Sequence, residues 1–246
     1  MASTVALLAE TWDWLAADKP AGVVVIPARG EDPALSLRHQ LERELGHPLW
    51  VVHRLDRGTS GVVLFARTAE AHRRLSMAFE RGAVRKLYLA LTEGLPPEQD
   101  GSIEVPLHAA RRGKMRPART GEPGALAART DYAVLRRWTT PGPEVGLVEA
   151  RPRTGRQHQV RVHLRAAGAP LLVDPLYGRR AVLRGEEVGA GPAVVCGRLT
   201  LHAAAVEFDD PLGGQPVLVE SPLPRDLAGV VALLDAAAAH RGTRGP

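Results

Sequence analysis

Two apolar runs, residues 49–52 and 62–66, stand on either side of the segment His53-Arg54-Leu55-Asp56-Arg57-Gly58-Thr59-Ser60-Gly61. This arrangement constrains the fold strongly, because runs of that length read as core strands and the charged segment between them must then be a loop held at both ends. The loop sets one carboxylate among two arginines, two hydroxyls and two glycines. An arginine near a carboxylate favours its ionised form, and glycine lets backbone or ligand approach without a side chain in the way. Asp56 is therefore a candidate nucleophile or base. Short runs of Arg, Asp, Ser and Gly also occur in solvated loops, where surface ion pairs contribute little. The rest of the chain has to decide between these readings.

At 246 residues with 45% hydrophobic content, the chain can bury a substantial core as one large domain or two closely packed lobes. Its one cysteine, Cys196, excludes an internal disulfide. The sequence shows neither a basic segment leading into a long apolar run nor a spanning stretch, so a cytoplasmic location is expected. Lys and Arg total 32 against 27 Asp and Glu, and the resulting pI near 10.0 suits a polyanionic partner. The basic residues also cluster. His108, Arg111, Arg112, Lys114, Arg116 and Arg119 fall in a window without acids between Glu104 and Glu122. Gly and Pro at 113, 117, 121, 123 and 124 mark this window as a loop, suited either to tracking phosphates or to being a mobile solvated surface. Aromatic residues are only 4% of the chain, which argues against a sheet of base-stacking rings.

No internal repeat or low-complexity linker divides the chain, and the main punctuation falls at 106–125. Residues 14–17 and 22–26 read as short strands joined by the turn Asp18-Lys19-Pro20-Ala21. Asp32 before Pro33 opens a helix with Leu35, Leu37, Leu41 and Leu45 on its apolar side, closed by Gly46. Thr68 caps a second helix running to Gly82. Over 85–91, Leu87, Leu89 and Leu91 share one face of a strand, and Tyr88 lies on the other, where it can line a cleft. Residues 131–137 and 145–150 read as further strands. Thr154 and Gln157 have capping-box spacing ahead of a helix over 158–167, which Gly168 and Pro170 stop. Strands return over 194–219, and a last helix spans 226–240.

His158 and His163, with His53, Asp174 and His202, raise the possibility of a metal site. Residues five apart on a helix point about 140° away from each other, whereas chelating pairs lie four apart, so the spacing argues against one. Arg161 lies at the border of the stripe buried by Val160 and Leu164, where a fixed guanidinium can pair with a carboxylate. Asp56 is the natural candidate partner.

Three separated motifs, in order, resemble the RluA-type pseudouridine synthases. They are His53-Arg54-Leu55-Asp56 with Thr59-Ser60-Gly61; Arg85-Lys86-Leu87-Tyr88-Leu89-Ala90 with Gly94; and Thr154 to Leu164, continuing to Gly168-Ala169-Pro170 and Asp174-Pro175-Leu176-Tyr177-Gly178. Asp18-Lys19-Pro20-Ala21-Gly22 and Leu201-His202-Ala203 also look like family segments. Ile26 and Val173 depart from the pattern, standing where relatives often carry histidine and glycine. The resemblance implies an α+β fold, with a large mixed and mostly antiparallel sheet, flanking helices and a central catalytic cleft. It further implies a single catalytic domain over 1–246, with its core at about 12–228 and no preceding S4-like RNA-binding module.

The activity so implied is isomerisation of uridine to pseudouridine without metal or organic cofactor, by a monomer acting on structured ribosomal or transfer RNA. Asp56 would be the essential carboxylate, either attacking C1′ or removing a sugar proton. Arg161 would hold Asp56 ionised and aligned. Tyr88 would pack against the base, its phenol a candidate for helping to remove the C5 proton. The nucleotide would swing out of the RNA, with Arg54 either filling the vacated place or forming a structural ion pair. His53 reads as a positioning or core residue. Arg57, Thr59, Arg156, Gln157 and His158, with Arg111, Arg112, Lys114 and Arg116 of the basic window, complete the candidate substrate-binding set. The competing reading is an inactive RNA-binding or chaperone-like module with the same fold, against which the intact Asp56, Tyr88 and Arg161 argue.

Overall fold

The structure, a computed structural model, describes residues 5–27 and 30–242. The chain forms two compact units. The first takes residues up to Leu87 together with His202–Pro222, and the second takes Tyr88–Leu201 with the C-terminal stretch from Leu223. Among the described residues, ten strands make up the main, mostly antiparallel sheet pairings, six in the first unit and four in the second.

In the first unit, every residue of the strand Ser60–Ala66 is buried. One edge pairs antiparallel with Trp14–Lys19, and the other is shared between Trp50–Val51 and the parallel strand Leu201–Asp209. A strand covered on both faces reads as a continuous apolar run rather than an alternation, as residues 62–66 do. Leu7–Glu10 and Pro216–Glu220 complete the set. The core gathers Trp14, Val62, Leu64 and Phe208 against Ala71 and Leu75 of the helix Ala69–Glu80. Thr68 caps that helix by accepting the Ala71 N–H at 3.1 Å.

Two expectations fail nearby. Residues 22–26 are not a strand, because their backbone groups are committed elsewhere. The Gly22 N–H donates to the Arg57 carbonyl, and the Val24 and Val25 carbonyls accept from Leu37 and Arg38. A chain whose carbonyls serve a helix end cannot also form a ladder. The helix itself starts later than the Asp32-Pro33 signal suggests. Asp32 caps only a 3-10 turn, Pro33–Leu35, while Ser36 caps the helix Leu37–Leu45 and Gly46 ends it at φ +73°. Leu35 is accordingly 66% exposed rather than part of the apolar side.

In the second unit, the strand Arg85–Glu93, from Tyr88 onward, and the strands Val145–Pro152, Thr130–Trp138 and Asp100–Ile103 pair antiparallel in that order. The alternation in the first of these strands divides two cores. Tyr88 and Ala90 pack with Val148, Val160 and Leu164, whereas Leu91 packs with Val145, Leu172, Leu227 and Leu234. The helix Gln159–Ala166 supplies the first set and the helix Arg225–Gly242 the second. The stretch read as a loop contains a hairpin instead, Leu107–Ala109 with Met115–Pro117. Leu107 and Met115 bury against Val162 and Tyr177, so a small apolar patch holds what the Gly and Pro content marks as irregular. Among the described residues, no helix is long and apolar enough to cross a membrane.

Candidate active site

Asp56 begins a tight turn in which its carbonyl accepts the Thr59 N–H at 3.1 Å, and the buried strand follows at Ser60. Three features fix this turn. Gly61 has φ +113°, and a Cβ there would lie 2.1 Å from the Ala203 carbonyl oxygen, so glycine is required for the approach of the two strands. Lys19 is fully buried, and its ammonium donates to the carbonyls of Pro20 at 3.0 Å, Val23 at 2.7 Å and Arg57 at 3.1 Å. A buried charge needs such partners to offset its lost hydration, and these three tie the Lys-Pro-Ala-Gly turn to the residue after Asp56. His202, also fully buried, donates from Nε2 to the Ser221 carbonyl at 3.0 Å, and its Nδ1 meets the Ser60 hydroxyl at 2.9 Å. In sequence, Lys19 reads only as part of a family segment, and His202 as part of another and as a candidate metal ligand. Their burial is the missing signal, since a lysine in a Pro-Gly turn reads as surface.

The residues flanking Asp56 serve different ends. His53 Nε2 accepts the Leu64 N–H at 2.9 Å, and its ring stacks on Phe79 with centroids 4.6 Å apart. Burial of the ring, and secondarily the Lys86 ammonium, push its pKa down to about 3. Between the ordinary histidine value and that one, the unfolded chain binds a proton that the folded chain refuses. Stability therefore falls as pH drops through this window, by up to ~1.4 kcal/mol per pH unit. His53→Gln is expected to flatten the pH dependence of urea unfolding between about pH 6 and 4; a slope equal to the wild type's would contradict this. Arg57 pairs with Glu31, and Thr59 is buried. Arg54 is exposed and makes no hydrogen bond or ion pair with any described residue, so the structural ion pair considered for it is absent.

The second unit carries Tyr88, half-buried, and Arg161, 7% exposed. The expected capping box of Thr154 and Gln157 does not form. His158 is the N-cap instead, at a left-handed φ of +55° and with no side-chain capping bond, and Gln159, the first helical residue, ties down the segment that leads in. Gln159 Oε1 accepts the Arg156 N–H at 3.0 Å and the Thr154 hydroxyl at 2.7 Å, while its Nε2 donates to the Arg129 carbonyl and the Thr130 hydroxyl. Gln157 is exposed and donates to the Gly113 carbonyl at 3.2 Å; Arg156, also exposed, donates to the Ala127 carbonyl at 3.0 Å.

Arg161 forks onto Asp174, with Nε 2.9 Å from Oδ2 and Nη2 2.7 Å from Oδ1. This bidentate pair fixes the plane of the guanidinium as well as its place. Asp174 Oδ1 also accepts the N–H groups of Leu176 and Tyr177, and the Tyr177 ring lies 4.8 Å from the guanidinium carbon. In sequence, Asp174 reads only as a candidate metal ligand and motif residue. Of the histidines considered with it, His158 Nδ1 shares a 2.7 Å hydrogen bond with the Tyr177 phenol, and His163 bridges the Thr130 hydroxyl and the Val105 carbonyl. Among the described residues, no group of three or more His, Cys, Asp or Glu could hold a metal ion.

The basic window has an uneven charge. Arg111–Gly113 form a 3-10 turn at the hairpin tip, with Arg112 at φ +58°, and the exposed Arg111 and Arg112 make no ion pair or hydrogen bond with side chains of the described residues. Arg116 instead places two nitrogens on Glu122. Those bonds, with the Arg119 N–H, hold the Glu122 carboxyl down to about 2. The Lys114 ammonium points at the Leu176 carbonyl, 3.4 Å away. The acid that closes the window in sequence thus folds back and neutralises part of it.

The carboxylate turn leads into a buried strand in one unit, and the other unit carries a buried arginine and a half-buried tyrosine. The sequence pattern of the RNA pseudouridylate synthase family matches residues 13–166. A ribosomal large subunit pseudouridine synthase D of Nitrosomonas europaea is 37% identical over 220 residues, covering 87% of this chain and 60% of the relative. An uncharacterized RNA pseudouridine synthase of Zymomonas mobilis is 37% identical over 212 residues, 85% of this chain and 89% of its own length. The chain thus spans about three fifths of the length of the Nitrosomonas relative. The structure of human RNA pseudouridylate synthase domain containing 4 superposes with a TM-score of 0.73 at 26% identity, covering 93% of this chain and 92% of that one. The chain belongs to the RluA-type family of RNA pseudouridine synthases, which are isomerases, and it has the pseudouridine synthase fold.

Proposed function

We propose that this chain isomerises uridine to pseudouridine in RNA, with Asp56 as the essential carboxylate. The C1′–N1 bond breaks, the base turns, C1′ joins C5, the C5 proton leaves and N1 regains one. The observation that carries this reading is the Asp56 turn, fixed by a glycine that admits no side chain and by a buried lysine on three carbonyls. Such support suits a group that must meet one sugar carbon, and a solvated loop would have no use for it. Asp56 acts by attacking C1′ or by removing a sugar proton. Tyr88 is the proposed packing surface for the base and Arg161 the proposed fixed cation of the reaction. Arg54, exposed beside Asp56 and without a hydrogen bond or ion pair to any described residue, is suited to occupy the place a uridine leaves when it swings out of the RNA.

The relatives named for the large ribosomal subunit favour large-subunit ribosomal RNA over transfer RNA as the substrate. The test is tritium release from transcripts carrying tritium at uridine C5. Release is expected from unmodified large-subunit ribosomal RNA; none from either ribosomal or transfer RNA would refute the activity. On the hairpin, Arg111 and Arg112 are the proposed phosphate contacts. Replacing both by glutamine should lower the slope of log affinity against log salt by about 1.4–1.8, whereas Arg116→Gln, already neutralised by Glu122, should leave it nearly unchanged. Equal effects from the two changes would return the hairpin to an idle surface.

A further inference from the structure

The hairpin 107–117 and the helix bearing Arg161 meet at one side chain, Tyr177, which is 7% exposed. Each part of this residue is engaged by a different element. Its phenol oxygen accepts the Met115 N–H of the hairpin at 2.7 Å and shares a hydrogen bond with Nδ1 of His158, the residue that starts the helix. Its ring carries the Arg161 guanidinium 4.8 Å from the centroid. Its own N–H donates at 3.1 Å to Asp174 Oδ1, the oxygen that also takes Arg161 Nη2. Leu107, Met115 and Val162 pack around it. The guanidinium is therefore held at its edge by Asp174 and on its face by Tyr177, and the same tyrosine holds the base of the basic hairpin.

We propose that Tyr177 is a positioning residue that ties the basic hairpin to Arg161, so that RNA gripped at Arg111 and Arg112 is registered against the guanidinium through one rigid side chain. The inference rests on the proposed roles of the hairpin and of Arg161. Its distinguishing feature is a division of labour within one residue: the hydroxyl serves the hairpin and the start of the helix, and the ring serves the guanidinium. Phenylalanine removes the first function and keeps the second, while leucine removes both. A residue that only filled the core would show no such division.

Full-length Tyr177→Phe and Tyr177→Leu proteins are to be compared with the wild type by tritium-release kinetics on the same ribosomal transcript and by amide hydrogen exchange of residues 107–117. In Tyr177→Phe, the hairpin should exchange at least about tenfold faster and KM should rise about tenfold, with kcat within about twofold of wild type. Tyr177→Leu should show the same changes and a further fall in kcat of about tenfold or more, through loss of the ring beneath Arg161. Unchanged hairpin exchange in Tyr177→Phe would overturn the proposal, as would equal falls of kcat in both variants. If the wild type releases no tritium, the proposed activity fails, while hairpin exchange still decides the Tyr177 link on its own.

Discussion

Asp56→Asn is expected to abolish pseudouridine formation, by about four orders of magnitude or more, while leaving the fold and RNA affinity in place. The substitution keeps the size of the side chain and removes its charge, so neither a nucleophile nor a base remains at this position. The substitution leaves in place the Asp56 carbonyl accepting from Thr59, the Lys19 ammonium on the Arg57 carbonyl, and Gly61 against Ala203. The melting temperature should therefore move little, by the equivalent of ~1 kcal/mol or less. Tritium release, thermal melting and RNA binding measured on one preparation decide the matter. Turnover near the wild-type rate would remove Asp56 from the reaction, whereas lost turnover together with lost folding would show a structural role instead.

Gly61→Ala is expected to cause the largest loss of stability. An alanine Cβ would lie 2.1, 2.7 and 2.8 Å from the O, C and N atoms of Ala203, at a φ of +113° that side chains rarely adopt. The obstacle is backbone, not a side chain that can swing away. Gly61 and Ala203 face each other in the parallel pairing, so relief requires the two strands to separate where the Asp56 turn ends. A cost of ~3–5 kcal/mol follows, or a fall of about 10 °C in melting temperature for a chain of this size. Gly46→Ala is the control. Its φ of +73° is also left-handed but nothing lies within 4 Å of the added carbon, so it should cost only ~1 kcal/mol. Equal losses at the two glycines would contradict the steric explanation.

Much of the fold can be read from short-range pattern. The run at 62–66 announces a strand buried on both faces, Thr68 announces a helix, and the alternation through Tyr88 separates two cores, because each signal depends on neighbours in the chain. What fails depends on partners far away in sequence. Residues 22–26 have the composition of a strand, but their carbonyls are taken by Lys19 and by the start of the helix at Leu37. The expected capping box gives way to His158 as N-cap, which turns left-handed while bonded to Tyr177, nineteen residues on. The basic window becomes a hairpin because Leu107 and Met115 find Val162 and Tyr177.

Within the site, the three motif residues Asp56, Tyr88 and Arg161 stand out in sequence because charged or phenolic groups interrupt apolar periodicity. Their supports do not stand out. Lys19, His202, Asp174 and Tyr177 act through burial and hydrogen bonds that no local pattern encodes, and a carboxylate thirteen residues from its arginine has no helical spacing to reveal the pair. In physical terms, the groups proposed to react are legible in sequence, and the groups that support them are legible only in three dimensions.

The most direct measurement maps pseudouridines across total RNA from cells lacking this protein, from the same cells given it back, and from cells given the Asp56→Asn form. At least one pseudouridine should vanish on deletion, return with the wild-type chain and stay absent with Asp56→Asn. An unchanged map on deletion, or a site restored by Asp56→Asn, would contradict uridine isomerisation through Asp56.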